Sequence, residues 1–155
     1  MNTIQVKEIH QVHGKASMSV PEDTALDYVV ALFGHERHLQ GVFRVDSNGK
    51  FVGMVSRFDL LRWAQLKLYG GEKIKKIPVN ELLGLAKATK ARDLETDSSG
   101  SFSLKEDDTL QTALDLMVGY EEDIIPVLDS EGKIIGDVSL SELLSKALEV
   151  GIQPT

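Results

Sequence analysis

The chain contains no cysteine. Disulfides, zinc–thiolate sites and thiol nucleophiles are therefore excluded. It also lacks any run of about 18 apolar residues, the length a membrane-spanning helix requires. The opening residues, Met1-Asn2-Thr3-Ile4-Gln5-Val6-Lys7-Glu8, show no basic region followed by an apolar stretch. They do not read as a secretory signal, and a cytoplasmic protein is expected. No Gly-rich phosphate loop, H-E-x-x-H or G-x-S-x-G element occurs, and no nucleophile–base constellation stands out. An enzyme is not the expectation.

Positive charge is in the minority. There are 17 Lys and Arg against 24 Asp and Glu, a formal net charge of -7. An acidic chain repels a phosphate backbone unless its bases cluster on one face. The densest cluster, Lys73, Lys75 and Lys76, lies in a connecting stretch and reads as solvated linker, so nucleic acid is not an expected partner. What is present in quantity is apolar: 42% of 155 residues, enough for one ordinary domain or two small ones sharing a core.

The dominant signal is an internal repeat. Ser19-Val20-Pro21-Glu22-Asp23-Thr24 returns as Leu104-Lys105-Glu106-Asp107-Asp108-Thr109. Each opens a helical pattern: Ala25, Tyr28, Val29 and Leu32 in the first copy, Leu110, Ala113, Leu114 and Met117 in the second, one apolar face apiece. Each helix leads to a hairpin. Val42 to Val45 and Lys50 to Val55 flank Asp46-Ser47-Asn48-Gly49; Ile124 to Leu128 and Lys133 to Val138 flank Asp129-Ser130-Glu131-Gly132. Asp at the first turn position and Gly at the last suit a short loop between strands. A second helix closes each copy, with Leu60, Leu61 and Ala64 or Leu143, Leu144, Ala147 and Leu148 as its apolar side.

The fold class expected is thus α+β (α/β), a tandem β-α-β-β-α repeat over 1–68 and 91–155 joined by a connection over 69–90. Tyr69-Gly70-Gly71 reads as a helix stop, and Glu81 to Ala86 as a possible short helix. A matching short element precedes each repeat, Val6 to Ile9 and Ala91 to Leu94. One copy cannot bury both faces of a three-stranded sheet. Two copies packed sheet to sheet can, which predicts a pseudo-two-fold pair with a cleft between the sheets.

Chemistry concentrates at Gly53-Met54-Val55-Ser56-Arg57-Phe58-Asp59. A strand ends, Ser56 follows and a helix begins, so free amides and a positive dipole end face an incoming anion. Ser56 adds a hydroxyl and Arg57 a charge that can reach a phosphate. Asp59 can accept from two neighbouring hydroxyls, and Gly53 permits close backbone approach. Ser followed three residues later by Asp or Glu is also a capping box, which needs no ligand. Both readings stand for Ser56 and Asp59, and likewise for Ser139 and Glu142.

The pattern G-x-x-[S/T]-x-x-D at this junction, within a repeat running from about Val6 to Leu148, resembles the CBS (cystathionine-β-synthase-type) domain-pair family. The resemblance implies a regulatory ligand-binding pair that takes an adenine nucleotide (AMP, ADP or ATP) or S-adenosylmethionine, requires no cofactor, dimerises through its helices and signals to a separate effector protein. It implies Asp59 on the ribose, Ser56 and Arg57 on the phosphate, and adenine against Val42 and Phe43 in one copy and Ile125 and Pro126 in the other. The second copy departs from the pattern: Glu142 replaces the aspartate, Leu140 stands where Arg57 stood, and Asp137 adds a negative charge. The first copy is therefore expected to hold the better site. The alternative is a ligand-independent dimerisation or interaction module.

The remaining candidates carry less. His10 with His13, and His35 with His38, have H-x-x-H spacing, but surface histidines are the commoner case and no metal is expected. Arg37 and its neighbouring histidines could meet a phosphate chain if they face the cleft. Trp63, beside Leu60 and Leu61, reads as part of a core or dimer face.

Overall fold

The two hairpin turns show how closely the copies repeat. In this computed structural model, which describes residues 4–10, 14–70, 85–95 and 99–152, Asp46 accepts from the amides of Asn48 (2.8 Å) and Lys50 (3.0 Å). Asp129 accepts from those of Glu131 (2.8 Å) and Lys133 (3.0 Å). Gly49 and Gly132 then take φ of 80° and 84°, the left-handed region that favours glycine. The Asp and Gly positions chosen from the sequence perform those turn roles.

Around these turns the order is β1 (Ser17–Pro21), α1 (Leu26–His35), β2 (Gly41–Val45), β3 (Phe51–Ser56) and α2 (Arg57–Tyr69). It repeats as β4 (Leu104–Lys105), α3 (Leu110–Tyr120), β5 (Ile124–Leu128), β6 (Ile134–Ser139) and α4 (Leu140–Ile152). Each copy forms its own three-stranded sheet, β1-β2-β3 and β4-β5-β6. The first two strands of each are parallel, joined by the helix that a parallel connection requires, and the last two are antiparallel. Gly70, at φ 75°, ends α2 as expected. Gly71, Lys73, Lys75, Lys76, His13 and most of the 81–86 stretch lie outside the described residues.

The repeat is real, but its register differs by one residue from the sequence match. Thr109 caps α3 by accepting from the Thr112 amide, and the residue in the matching place before α1 is Ala25, not Thr24. The buried positions are accordingly Leu26 and Val29 in α1 and Ala113 and Met117 in α3. Tyr28, assigned to the buried face, is 56% exposed, and Leu114 is 43% exposed. The closing helices also bury less than their pattern suggests. Leu143 is buried in α4 and Leu60 packs on the core, while Leu61, Leu144 and Leu148 face outward.

The short elements before each repeat cross over. Val6 donates to the Asp108 carbonyl, and Leu110 to that of Ile4, so the first element docks on the second copy. Ala91 donates to Thr24 and Leu26 to Thr89, so the second docks on the first. Ala91 and Leu94 complete the core beneath α1 with Val20, Val29, Val42 and Val55. The other core joins both sheets: Phe43, Phe51 and Met54 from the first copy meet Phe102, Leu104, Ile124, Ile125, Val127 and Val138 from the second. This shared core is the sheet-to-sheet packing expected of a pair.

Candidate functional site

Each closing helix begins where a strand ends on serine. Ser56 and Ser139 are buried at these junctions. Each serine's amide donates at 2.9 Å to the acid three residues on, Asp59 or Glu142. The Asp59 amide returns a bond to the Ser56 hydroxyl at 3.3 Å. Both junctions are thus capping boxes or near relatives of one. The first helical amides are also engaged: Arg57 N donates to the Gln40 carbonyl (3.3 Å) and Leu140 N to that of Asp123 (2.9 Å).

The two junctions differ in what surrounds them. Asp59 is buried, and Arg62 donates to its other oxygen at 2.6 Å. The Ser56 hydroxyl donates to Glu122 of the second copy at 2.9 Å. Burial pushes the Asp59 carboxyl up, against the hydrogen bond from Ser56 and the charge of Arg62. Burial, with Asp59 nearby, raises Glu122 to about 7. The groups of Ser56 and Asp59 are therefore taken up inside the protein, next to negative charge. The adjacent surface recess, about 530 Å³, is walled by Phe58, Leu61, Leu68 and Tyr69 with Arg62, Glu121 and Glu122.

The second junction opens into a cleft of about 950 Å³. Ser139, Ser141 and Glu142 form one wall, and Gly14, Lys15 and Ala16, ahead of β1, form another. Lys15, Arg37, Arg57 and Lys146 bring four fixed positive charges, His10 and His38 stand with them, and Glu8, Glu142 and Glu149 are the carboxylates. Arg57 therefore lines the Ser139–Glu142 cleft and not the recess walled by Phe58 and Arg62. It begins α2 of the first copy, forms an ion pair with Asp123 and lies on the wall of the Ser139–Glu142 cleft. Arg37 and His38 do face a cleft, and it is this one. Lys15, Gln40 and Lys146 were missed, because nothing in their local sequence marks them; the fold alone gathers them.

The remaining candidates lie mainly in the cores and beside ion pairs. Val42 and Ile125 are wholly buried in the two cores, and Pro126 is buried in β5. Phe43 belongs to the shared core and forms part of a smaller recess with Ser17, Ile134 and Asp137. Gly53 makes room for an ion pair: a Cβ there would collide with the Glu95 carboxylate and the Arg44 guanidinium, which are bonded to each other. His10 lies 3.4 Å from Glu106. Among the described residues no group of three His, Cys, Asp or Glu side chains is placed to hold a metal. Trp63 packs against the first copy's core.

The repeat, the junction motif and the shared inter-sheet core define a recognised class. A family model, the CBS domain, matches the chain twice, at residues 6–65 and 91–149, and the chain belongs to that family. Solved structures agree on the fold. A CBS domain-containing protein from Thermotoga maritima superposes with a TM-score of 0.75 at 23% identity, covering 96% of this chain and 97% of that one. A CBS domain protein from Pyrobaculum aerophilum complexed with AMP gives 0.67 at 16% identity, covering 97% and 100%. The CBS domain pair of protein MJ0100, in complex with 5-methylthioadenosine and S-adenosyl-L-methionine, gives 0.65 at 15%, covering 97% and 99%. No curated protein sequence matches the chain. Among the described residues no helix is long and apolar enough to cross a membrane.

Proposed function

We propose that the protein is a regulatory module that binds an adenosine-containing ligand, an adenine nucleotide or S-adenosylmethionine, in the Ser139–Glu142 cleft and passes that state to a partner protein. The observation that carries this reading is the charge in the cleft. Lys15, Arg37, Arg57 and Lys146 line one space with Ser139 and Glu142. A concave site with convergent cations and a carboxylate suits a phosphorylated nucleoside. Glu142 would accept from ribose hydroxyls and the arginines would meet the phosphate. The ligands bound by structural neighbours, AMP in one and adenosine compounds in another, support the class. The choice of cleft reverses the expectation from sequence, which favoured Ser56 and Asp59. Those two groups already bond Glu122 and Arg62.

Binding would couple the copies, because the cleft takes Arg37 and Arg57 from one and Ser139 and Glu142 from the other. A ligand that prefers one relative packing shifts the pair toward it, and a partner sensitive to that packing responds. The outward side chains Phe58, Leu61, Leu68 and Tyr69 on α2, and Leu140, Leu144 and Leu148 on α4, support a homodimer through these helices.

The test is thermal unfolding with adenine and guanine nucleotides and S-adenosylmethionine. Ligand at about a hundred times its dissociation constant should add roughly 2.7 kcal/mol. A second reading, a ligand-independent dimerisation module, draws on the junction hydrogen bonds, which are closed without ligand. A flat response across the panel, with dimerisation intact, would favour it.

A further inference from the structure

One buried acid uses only one of its two oxygens in the fold. Asp137 lies on β6 two residues before Ser139, so both side chains share one sheet face about 6.5 Å apart along the strand. The matching residue in the first copy is Met54: Met54 pairs with Phe43 across its hairpin as Asp137 pairs with Pro126. Met54 sits in the apolar core between the sheets. The fold thus accepts a methionine at this place, yet Asp137 is just as deeply buried, at 3% exposure. Its Oδ2 accepts from the Ser17 hydroxyl of β1 at 2.6 Å, and its Oδ1 has no partner. Burying a carboxyl with an unused acceptor costs stability. Departures of this kind concentrate where a ligand is to be recognised.

The surroundings indicate what would meet that acceptor. Asp137 borders a recess of about 220 Å³ whose other walls include Ser17, Met18, Phe43 and Ile134. Gly14 lines both this recess and the large cleft, so the two adjoin. Met18, Phe43 and Ile134 offer apolar contact within a recess that Ser17, Ser19 and Asp137 make largely polar, and a flat heteroaromatic ring that carries an N–H donor matches both.

Resting on the reading that an adenosine compound occupies this cleft, we infer that Asp137 is a specificity-determining residue whose free Oδ1 accepts a hydrogen bond from the exocyclic amine of the purine. A purine without that amine leaves the acceptor unpaired. Hypoxanthine sets a carbonyl against it, acceptor facing acceptor. Both are discriminated against because a buried polar group is left unsatisfied.

The experiment is calorimetric titration of the full chain with AMP, inosine monophosphate and purine riboside 5′-monophosphate, using wild type, Asp137→Met and Asp137→Asn. Wild type is expected to bind AMP roughly ten-fold or more tighter than purine riboside monophosphate. Asp137→Met, which copies the first repeat, should keep its melting temperature or raise it, still bind purine riboside monophosphate and lose the preference for AMP. Asp137→Asn, which can turn an N–H toward a carbonyl, should lower the AMP-to-inosine-monophosphate preference roughly ten-fold and stands if the methionine variant fails to fold. Wild type binding AMP and purine riboside monophosphate alike, or either variant retaining the wild-type preferences, overturns the role of Asp137 and leaves the nucleotide reading in place. No binding of any of the three overturns both.

Discussion

Ser56 of the first repeat donates its hydroxyl to Glu122 of the second, 2.9 Å away, so a group available for a ligand is held by the protein's own carboxylate. Glu122 sits half-buried beside Asp59, and its pKa stands at about 7 where an ordinary glutamate is at 4.5. The folded state therefore holds a proton that the unfolded chain has lost, and stability falls as pH rises from about 4.5 through about 7. Above that range the penalty is fully in place. Asp59 and Asp137, also raised by burial, act with the same sign. Discounted for partial exposure, the Glu122 share is on the order of 2 kcal/mol. Denaturant unfolding at pH 5 and pH 8 should show Glu122→Gln losing that much less stability than wild type. Equal losses would remove Glu122 as the source.

Arg57, which begins α2, and Arg37, which follows α1, meet on the cleft that Glu142 of the second copy lines. Removing either should weaken AMP by about 1.5–3 kcal/mol, the value of a hydrogen bond to a charged group. Adenosine, which has no phosphate, should bind as before. Calorimetry with the two ligands separates these outcomes. A matching loss for adenosine would mean that the arginines shape the cleft without touching phosphate.

Arg44 and Glu95 form a nearly buried ion pair between the first sheet and the segment leading to the second copy. Ser99 also donates to Glu95, at 2.7 Å. The pair occupies the space over Gly53, and a methyl group there displaces it. Gly53→Ala should cost about 3 kcal/mol, in the range for breaking a buried ion pair. Thermal unfolding checks this. An unchanged melting temperature would mean that the pair relocates freely.

Glu121 ends α3 in the left-handed region, at φ 56°, the one non-glycine residue with positive φ among those described. The conformation crowds its Cβ against backbone, and glycine at this kind of helix end avoids that cost. Glu121→Gly should stabilise the protein by about 1 kcal/mol, read as a rise in melting temperature. A fall would show that the Glu121 side chain makes a contact worth more than the strain.

The order of elements was legible because its signals are local. Asp and Gly at the turns, β-branched strands and helical spacing each report on neighbours in sequence. The one-residue slip at α1 has a local cause as well: Thr24 resembles Thr109, but Ala25 is the residue that precedes the first helical turn. Three features were not legible, because each is settled between distant parts of the chain. Val6 and Ala91 dock on the opposite copy. Arg57 leaves Ser56 and Asp59 for the other cleft. Gly53 serves Arg44 and Glu95. Asp137 did carry a signal: an acid within an apolar strand, where the other repeat has Met54.

The most direct measurement is calorimetric titration of AMP into wild type, Glu142→Ala and Asp59→Ala, each first shown to be folded. Glu142→Ala should weaken AMP by about 1.5–3 kcal/mol, while folded Asp59→Ala binds as wild type does, because Asp59 is engaged by Ser56 and Arg62 away from the cleft. Loss of binding in Asp59→Ala with Glu142→Ala unaffected would place the ligand at the first junction and contradict the site proposed for it.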